Sequence, residues 1–154
     1  MIDKNEVIAV LLGGLSHEAE ISRRTGAAVT EALCSLGYKA IPVEYKPDSV
    51  LKQLQAINAK MVFIALHGKY GEDGTIQSIL ELAGIPYTGS GVSSSAITMD
   101  KILSSRIFKQ AGINMAFSMP YYLSDGLDKV EDSIKKHFKF PVVLKPACEG
   151  STIG

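Results

Sequence analysis

The stretch Val7-Ile8-Ala9-Val10-Leu11-Leu12-Gly13-Gly14-Leu15-Ser16-His17-Glu18-Ala19-Glu20-Ile21-Ser22 decides the fold. Val7 to Leu12 is apolar without alternation, the pattern of a strand buried on both faces of a parallel sheet. Gly13-Gly14 then lets the backbone turn where a side chain would clash, and a charged helix-forming segment follows. Ser16 reads as the N-cap. Glu18 and Glu20 fall in the first turn, where a carboxylate is favoured by about 0.3–1 kcal/mol through the free N–H groups and the helix dipole. A second reading gives Glu18 a ligand. Loops that leave the carboxyl end of a central strand are where open α/β sheets bind small molecules, so Glu18 can face a cationic group such as an ammonium. On this stretch alone the two readings carry equal weight.

A chain of 154 residues, 46% of them hydrophobic, is long enough to bury roughly 68–70% of its unfolded surface. Sixteen basic residues balance 16 acidic ones, so no electrostatic footprint points to nucleic acid or an anionic membrane. A small-molecule site is the better expectation. Cys34 and Cys148 lie far apart without metal-ligand spacing, which suits free thiols in the cytoplasm. No apolar run approaches the ~18–20 residues that span a bilayer, and the N-terminus has no basic segment followed by an apolar one, so no membrane segment or export signal is expected.

From His17 to Leu36, Ile21, Ala28, Val29, Ala32, Leu33 and Leu36 recur at helical spacing, with Gly37 as the stop. Tyr38 to Tyr45 reads as a second strand, and Asp48 or Ser49 can cap a short helix carrying Val50, Leu51, Leu54 and Ile57. Met61 to Leu66 is the third strand. Strand-helix-strand-helix-strand builds a parallel sheet with helices on its faces. The third strand opens into His67-Gly68-Lys69-Tyr70-Gly71-Glu72-Asp73-Gly74, on the same sheet edge as Gly13-Gly14. A lone histidine there is most often a structural hydrogen-bond donor; its place beside the first loop is what favours a ligand. Thr75 then opens a helix with Ile76, Ile79, Leu80 and Ala83 on one face.

Gly89 to Ser95, rich in glycine and serine, reads as the boundary between two units, residues 1–98 and 99–154. Beyond it, Lys101 opens a helix with Ile102, Leu103, Ile107 and Ala111. Ala116 to Leu123 reads as a strand, Leu127, Val130, Ile134 and Phe138 as a helix capped by Ser124 or Asp125, and Phe140 to Lys145 as a further short strand. That strand runs into a polar, glycine-bearing loop with no strand after it to pair with, so the chain is expected to be part of something longer.

Three blocks, Gly13-Gly14-Leu15-Ser16-His17-Glu18, Ala65-Leu66-His67-Gly68-Lys69-Tyr70-Gly71-Glu72-Asp73-Gly74 and Lys145-Pro146-Ala147-Cys148-Glu149-Gly150-Ser151-Thr152-Ile153-Gly154, together resemble the signature segments of the D-alanine–D-alanine ligase family. Tyr87-Thr88-Gly89-Ser90-Gly91 and Met99-Asp100-Lys101 fit the same family. The resemblance spans essentially the whole chain and implies an N-terminal half: a Rossmann-like parallel-sheet domain over 1–98, then the first, incomplete part of an ATP-grasp domain over 99–154.

The family phosphorylates the carboxylate of one D-alanine with ATP and Mg2+ or Mn2+, and a second D-alanine attacks the acyl phosphate to give the dipeptide for peptidoglycan. The resemblance implies that Glu18 holds the ammonium of the first D-alanine, His67 lies near the reacting carboxylate, and Ser151 hydrogen-bonds within the site. It implies that Lys101 and Lys145 contact ATP phosphates, with the loop carrying Glu149, Gly150 and Thr152 folding backbone N–H groups over them. Taken alone, Lys101 is a solvated first-turn residue and Lys145 a strand-end charge. The family commonly has serine and arginine where this chain has Ala147 and Cys148, and serine at Thr152; the Ser151 hydroxyl is kept. The resemblance also implies a homodimer. It gives no metal ligand within this chain, since the family's lie in its C-terminal half, and a chain of this length is expected to be inactive alone.

Three other readings remain. Glycines after the first strand and Glu44 at the end of the second imitate a dinucleotide-binding oxidoreductase, but Glu18 stands where that fingerprint needs its third glycine. A D-alanine–D-lactate or D-alanine–D-serine ligase shares these blocks. The chain can also be a non-catalytic binding module.

Overall fold

The computed structural model describes residues 3–150. Three strands, β1 (Val7–Leu12), β2 (Lys39–Glu44) and β3 (Ala59–Ile64), form a parallel sheet in the order β2-β1-β3. The apolar run of β1 is buried as its composition requires: Ala9, Val10 and Leu11 have no exposed surface. Alternate residues serve opposite faces. Ala9 and Leu11 join Val43, Val62, Leu54, Ile76 and Leu80 in the core beneath α2 (Val50–Ala56) and α3 (Thr75–Leu82). Leu12 points to the other face, against α1 (Ala19–Ser35). A fourth position on the sheet is held by one parallel bridge, Val62 to Tyr87, with Thr88 N–H donating to Val62 O at 3.0 Å.

The expected register of α1 on the sheet is corrected. Its buried residues are Ser22 and Gly26, with Val29, Thr30 and Leu33 half-buried, whereas Ile21, Ala28, Ala32 and Leu36 are exposed. The reason is steric: a Cβ at Gly26 would lie 2.5 Å from Leu12 Cβ, so the helix meets β1 along its glycine, not along its most apolar stripe. Ser16 is also not the N-cap. The helix begins at Ala19 with Glu18 at the cap position, and Ser16 Oγ instead accepts from Glu18 N–H at 3.2 Å and donates to His67 O at 2.8 Å.

The glycine- and serine-rich segment 89–95 is not a linker throughout, because α4 (Val92–Met99) begins inside it. Asp100 then separates α4 from α5 (Lys101–Gln110), its extended backbone breaking the helix while its Oδ1 accepts from Ile102 and Leu103 N–H at 2.9 and 3.0 Å. After α5 the chain carries a short 3-10 turn (Leu123–Asp125) and α6 (Leu127–His137).

Neither expected strand after α5 pairs. Residues 116–122 and 142–146 belong to no ladder among the described residues. Their side chains are uncovered as well, with Phe117 66%, Val143 77% and Leu144 70% exposed, so the apolar pattern is there without a partner to bury it. From Lys101 to Gly150 only Ser104 is buried.

Candidate functional site

The chain leaves β1 toward α1 on one face and leaves β3 toward α3 on the other, so the two connections part at the carboxyl ends of adjacent strands. A crevice at that switch point is where open α/β sheets bind ligands. The first connection brings Glu18, and the second brings His67. Glu18 reaches across it: its Oε2 lies 3.0 Å from where a Cβ on Gly68 would stand, and 2.9 Å from where one on Gly150 would stand. Three segments far apart in sequence thus meet at one carboxylate, and glycine at both neighbours is what admits it.

His67 sits between two groups. Its Nε2 is 3.4 Å from Thr25 Oγ1 on α1, and its Nδ1 is 3.9 Å from Glu72 Oε1. Glu72 turns its other oxygen to Gly68 N–H at 2.6 Å, which folds the loop back on itself. Gly71 lets that loop close on β3, for a Cβ there would lie 2.5 Å from Leu66 Cβ.

Asp73 finishes the turn by accepting from Tyr70 N–H and Thr75 N–H, both at 3.0 Å. Partial burial works against its charge, yet these donors hold the Asp73 carboxyl below the usual carboxylate value. Behind it, burial and then the charge of Asp73 push the Tyr45 phenol up; the Tyr45 and Tyr70 rings stand 6.4 Å apart.

A second concavity, of about 640 Å³, lies between α5 and the segments 118–121 and 143–147. Lys101 and Lys145 both line it, with Arg106 and Lys109 adding positive charge and Ile102, Met119, Val143 and Leu144 adding apolar wall. The two places are joined through the terminal loop. Lys101 Nζ donates to the Glu149 carbonyl at 2.5 Å and Lys101 N–H to Ala147 O at 3.0 Å, and Gly150 next in line rests on Glu18.

Of the residues singled out from sequence, Glu18, His67 and Gly150 converge at the crevice, and Lys101, Lys145 and Glu149 gather at the concavity and its rim. Ser151 and Thr152 lie outside the described residues. Glu72 and Thr25 flank His67 without having been picked out, because loop offsets carry no periodic signal. Lys109 was findable: Lys101, Ser105 and Lys109 repeat at four-residue spacing on one helix face. Glu44, the acidic residue of the dinucleotide reading, is engaged instead by Arg23, with Nη2 to Oε1 at 2.7 Å, and its carboxylate covers Gly13 where a pyrophosphate would need to approach. Among the described residues no group of three or more His, Cys, Asp or Glu side chains is arranged to hold a metal ion, and no helix is long and apolar enough to cross a membrane.

Known proteins resemble this chain in sequence and in fold. The family profile described as D-ala D-ala ligase N-terminus matches residues 46–90. The D-alanine–D-alanine ligase of Geobacter sulfurreducens is 47% identical over 152 residues, covering 98% of this chain and 46% of the relative. That of Moorella thermoacetica is 46% identical, covering 96% of this chain and 48% of the relative. The crystal structure of the Bacillus anthracis ligase superposes with a TM-score of 0.82 at 35% identity, over 97% of this chain and 48% of that one. Its ATP complex gives 0.72 at 35% identity, over 94% and 48%. The VanG D-Ala:D-Ser ligase of Enterococcus faecalis gives 0.72 at 28% identity, over 96% and 54%. The chain spans about half the length of the curated relatives it matches. In sequence and in fold it corresponds to the N-terminal half of the D-alanine–D-alanine ligases.

Proposed function

We propose that this chain supplies the first-substrate site and part of the nucleotide site of an ATP-dependent ligase that joins two D-alanines. The observation that carries the reading is the Glu18 carboxylate at the switch point, set against Gly68 and Gly150, where an amino-acid ammonium would neutralise it. His67, held between Thr25 and Glu72, then faces the substrate's carboxylate end, and the family resemblance gives Ser151, outside the described residues, a hydrogen-bonding role toward the substrate. The cationic concavity suits a nucleotide: four basic side chains for the phosphates and an apolar wall for a base. ATP, when bound, supplies the phosphoryl group that activates the carboxylate. Lys101, Lys145, Glu149, Gly150 and Thr152 hold it beside the crevice, and positioning with charge neutralisation is what phosphoryl transfer asks of a protein. The Bacillus anthracis ligase with ATP supports that cofactor. Mg2+ or Mn2+ enters this reading through the family resemblance, which puts its ligands beyond the described residues. We place the units at 1–98 and 99–154, the latter opening an ATP-grasp domain whose uncovered apolar surface awaits its remainder.

A homodimer in the cytoplasm completes the reading, supported by the exposed apolar stripe on α1 and by the free, exposed thiols of Cys34 and Cys148. The second substrate can be D-alanine or, as for the VanG D-Ala:D-Ser ligase, D-serine. The test is phosphate release from ATP with D-alanine, L-alanine or no amino acid, by this chain alone and by this chain joined to the C-terminal half of the Geobacter sulfurreducens ligase. Release is expected only from the joined protein and only with D-alanine. Release independent of D-alanine, or none with a folded joined protein, would reject the proposal.

A further inference from the structure

From Ile8 onward β1 and β3 pair without a break in register, and Ala65 N–H continues their ladder one residue past β3 by donating to Leu11 O at 2.9 Å. In a parallel ladder the next bond runs from Gly13 N–H to Ala65 O. It is not made. Ser22 stands in its place: Gly13 N–H donates to Ser22 Oγ at 2.9 Å, and Ser22 Oγ–H donates to Ala65 O at 2.7 Å. A hydroxyl that both accepts and donates has been inserted into the ladder where the strands begin to part. Ser22 has no exposed surface and comes from the first turns of α1, so water cannot take over either bond without displacing the helix.

We infer that Ser22 is a positioning residue: it spaces the Gly13–Glu18 connection from the Ala65–Gly74 connection and so sets the width of the crevice between Glu18 and His67. The inference rests on the proposed substrate site only for what the crevice holds. Both loop origins are tied to the same oxygen. The hydroxyl is the smallest side-chain group that satisfies Gly13 N–H and Ala65 C=O together, while Ser16 Oγ on His67 O ties the same two connections further out. An alanine at position 22 leaves an apolar gap too small for water between a buried donor and a buried acceptor, and the remedy available to the backbone is the direct ladder bond, which narrows the crevice.

The test has a structural and a kinetic reading. Crystal structures of this chain with Ser22→Ala and with Ser22→Cys should show opposite displacements. Gly13 N and Ala65 O approach a direct bond in the alanine protein, and they move apart in the cysteine protein, whose sulfur makes longer bonds. In the joined ligase described above, both variants should raise the D-alanine concentration for half-saturation several-fold, with kcat and the ATP half-saturation changing less. Ser22→Thr, which keeps the hydroxyl, should stay nearest the parent protein, and Ser22→Cys alone decides the spacer if the alanine protein does not fold. Unchanged separation of Gly13 and Ala65 in both Ser22→Ala and Ser22→Cys overturns the inference. A changed separation with D-alanine half-saturation unaltered overturns its link to the ligand. If the parent joined protein shows no D-alanine response at all, the proposed substrate fails, and the structural reading still decides the spacer.

Discussion

Asp73 carries no expected chemistry, yet it fixes the loop that presents His67. Its carboxyl is held below the ordinary value by the N–H groups of Tyr70 and Thr75 against the opposing pull of burial. The sign follows from linkage: a carboxyl depressed in the folded state stabilises the fold above its unfolded pKa, and that contribution disappears as pH falls through the folded value. Thermal unfolding should therefore show an acid-side loss of stability below about pH 4 that Asp73→Asn flattens. Asp73→Ala, which leaves two N–H groups without their acceptor, should cost about 1–3 kcal/mol at neutral pH. A Tm for Asp73→Ala within error of the parent would remove the turn from the account. Glu18 and His67 were legible as residues from their places after apolar strands. The contacts of Glu72 and Thr25 with His67 were not, because each depends on how a glycine-rich loop folds back in space.

α1 shows how far periodicity reaches. Its extent was readable from the recurrence of apolar residues, but its contact face was not, since the pattern ranks hydrophobicity and the sheet selects for closeness. Gly26 is where that closeness is greatest. Gly26→Ala would gain about 1 kcal/mol in helix propensity, while the new methyl, 2.5 Å from Leu12 Cβ, would cost about 1–3 kcal/mol in overpacking. Net destabilisation is expected in a denaturant titration; a stabilised variant would mean that α1 can lift off β1 at little cost. At α5 the helix was legible from its apolar periodicity, while its N-cap, Asp100, emerges only from the structure. Asp100→Ala should lower stability by about 0.5–2 kcal/mol and fray the turn that holds Lys101 against Glu149. In the joined ligase the ATP half-saturation should rise more than that of D-alanine, and the reverse order would put Lys101 in the wrong site.

The whole molecule divides by burial. The sheet and α1 to α3 enclose a packed core, whereas the segment from Lys101 onward has the sequence of strands and helices without the layers that would bury them. The strands expected at 116–123 and 140–145 do not form among the described residues, because pairing is a property of a partner that one segment's sequence does not contain. The exposed stripe Ile21, Ala28, Ala32 and Leu36 is a separate matter, lying on the well-packed unit. If it is the dimer surface, light scattering on the joined ligase should give twice the chain mass, and Ile21→Lys with Leu36→Lys should give monomers. Monomers in the parent protein would dismiss it.

The account stands on Glu18 as the ammonium partner at the switch point of the sheet. The most direct measurement is D-alanine half-saturation in the joined ligase with Glu18→Gln, which keeps the shape and removes the charge. Losing a hydrogen bond to a charged group, about 1.5–3 kcal/mol, predicts a rise of about 10- to 100-fold with the ATP half-saturation little changed. A Glu18→Gln protein that binds D-alanine as the parent does would contradict the assignment and return Glu18 to its role at the start of α1.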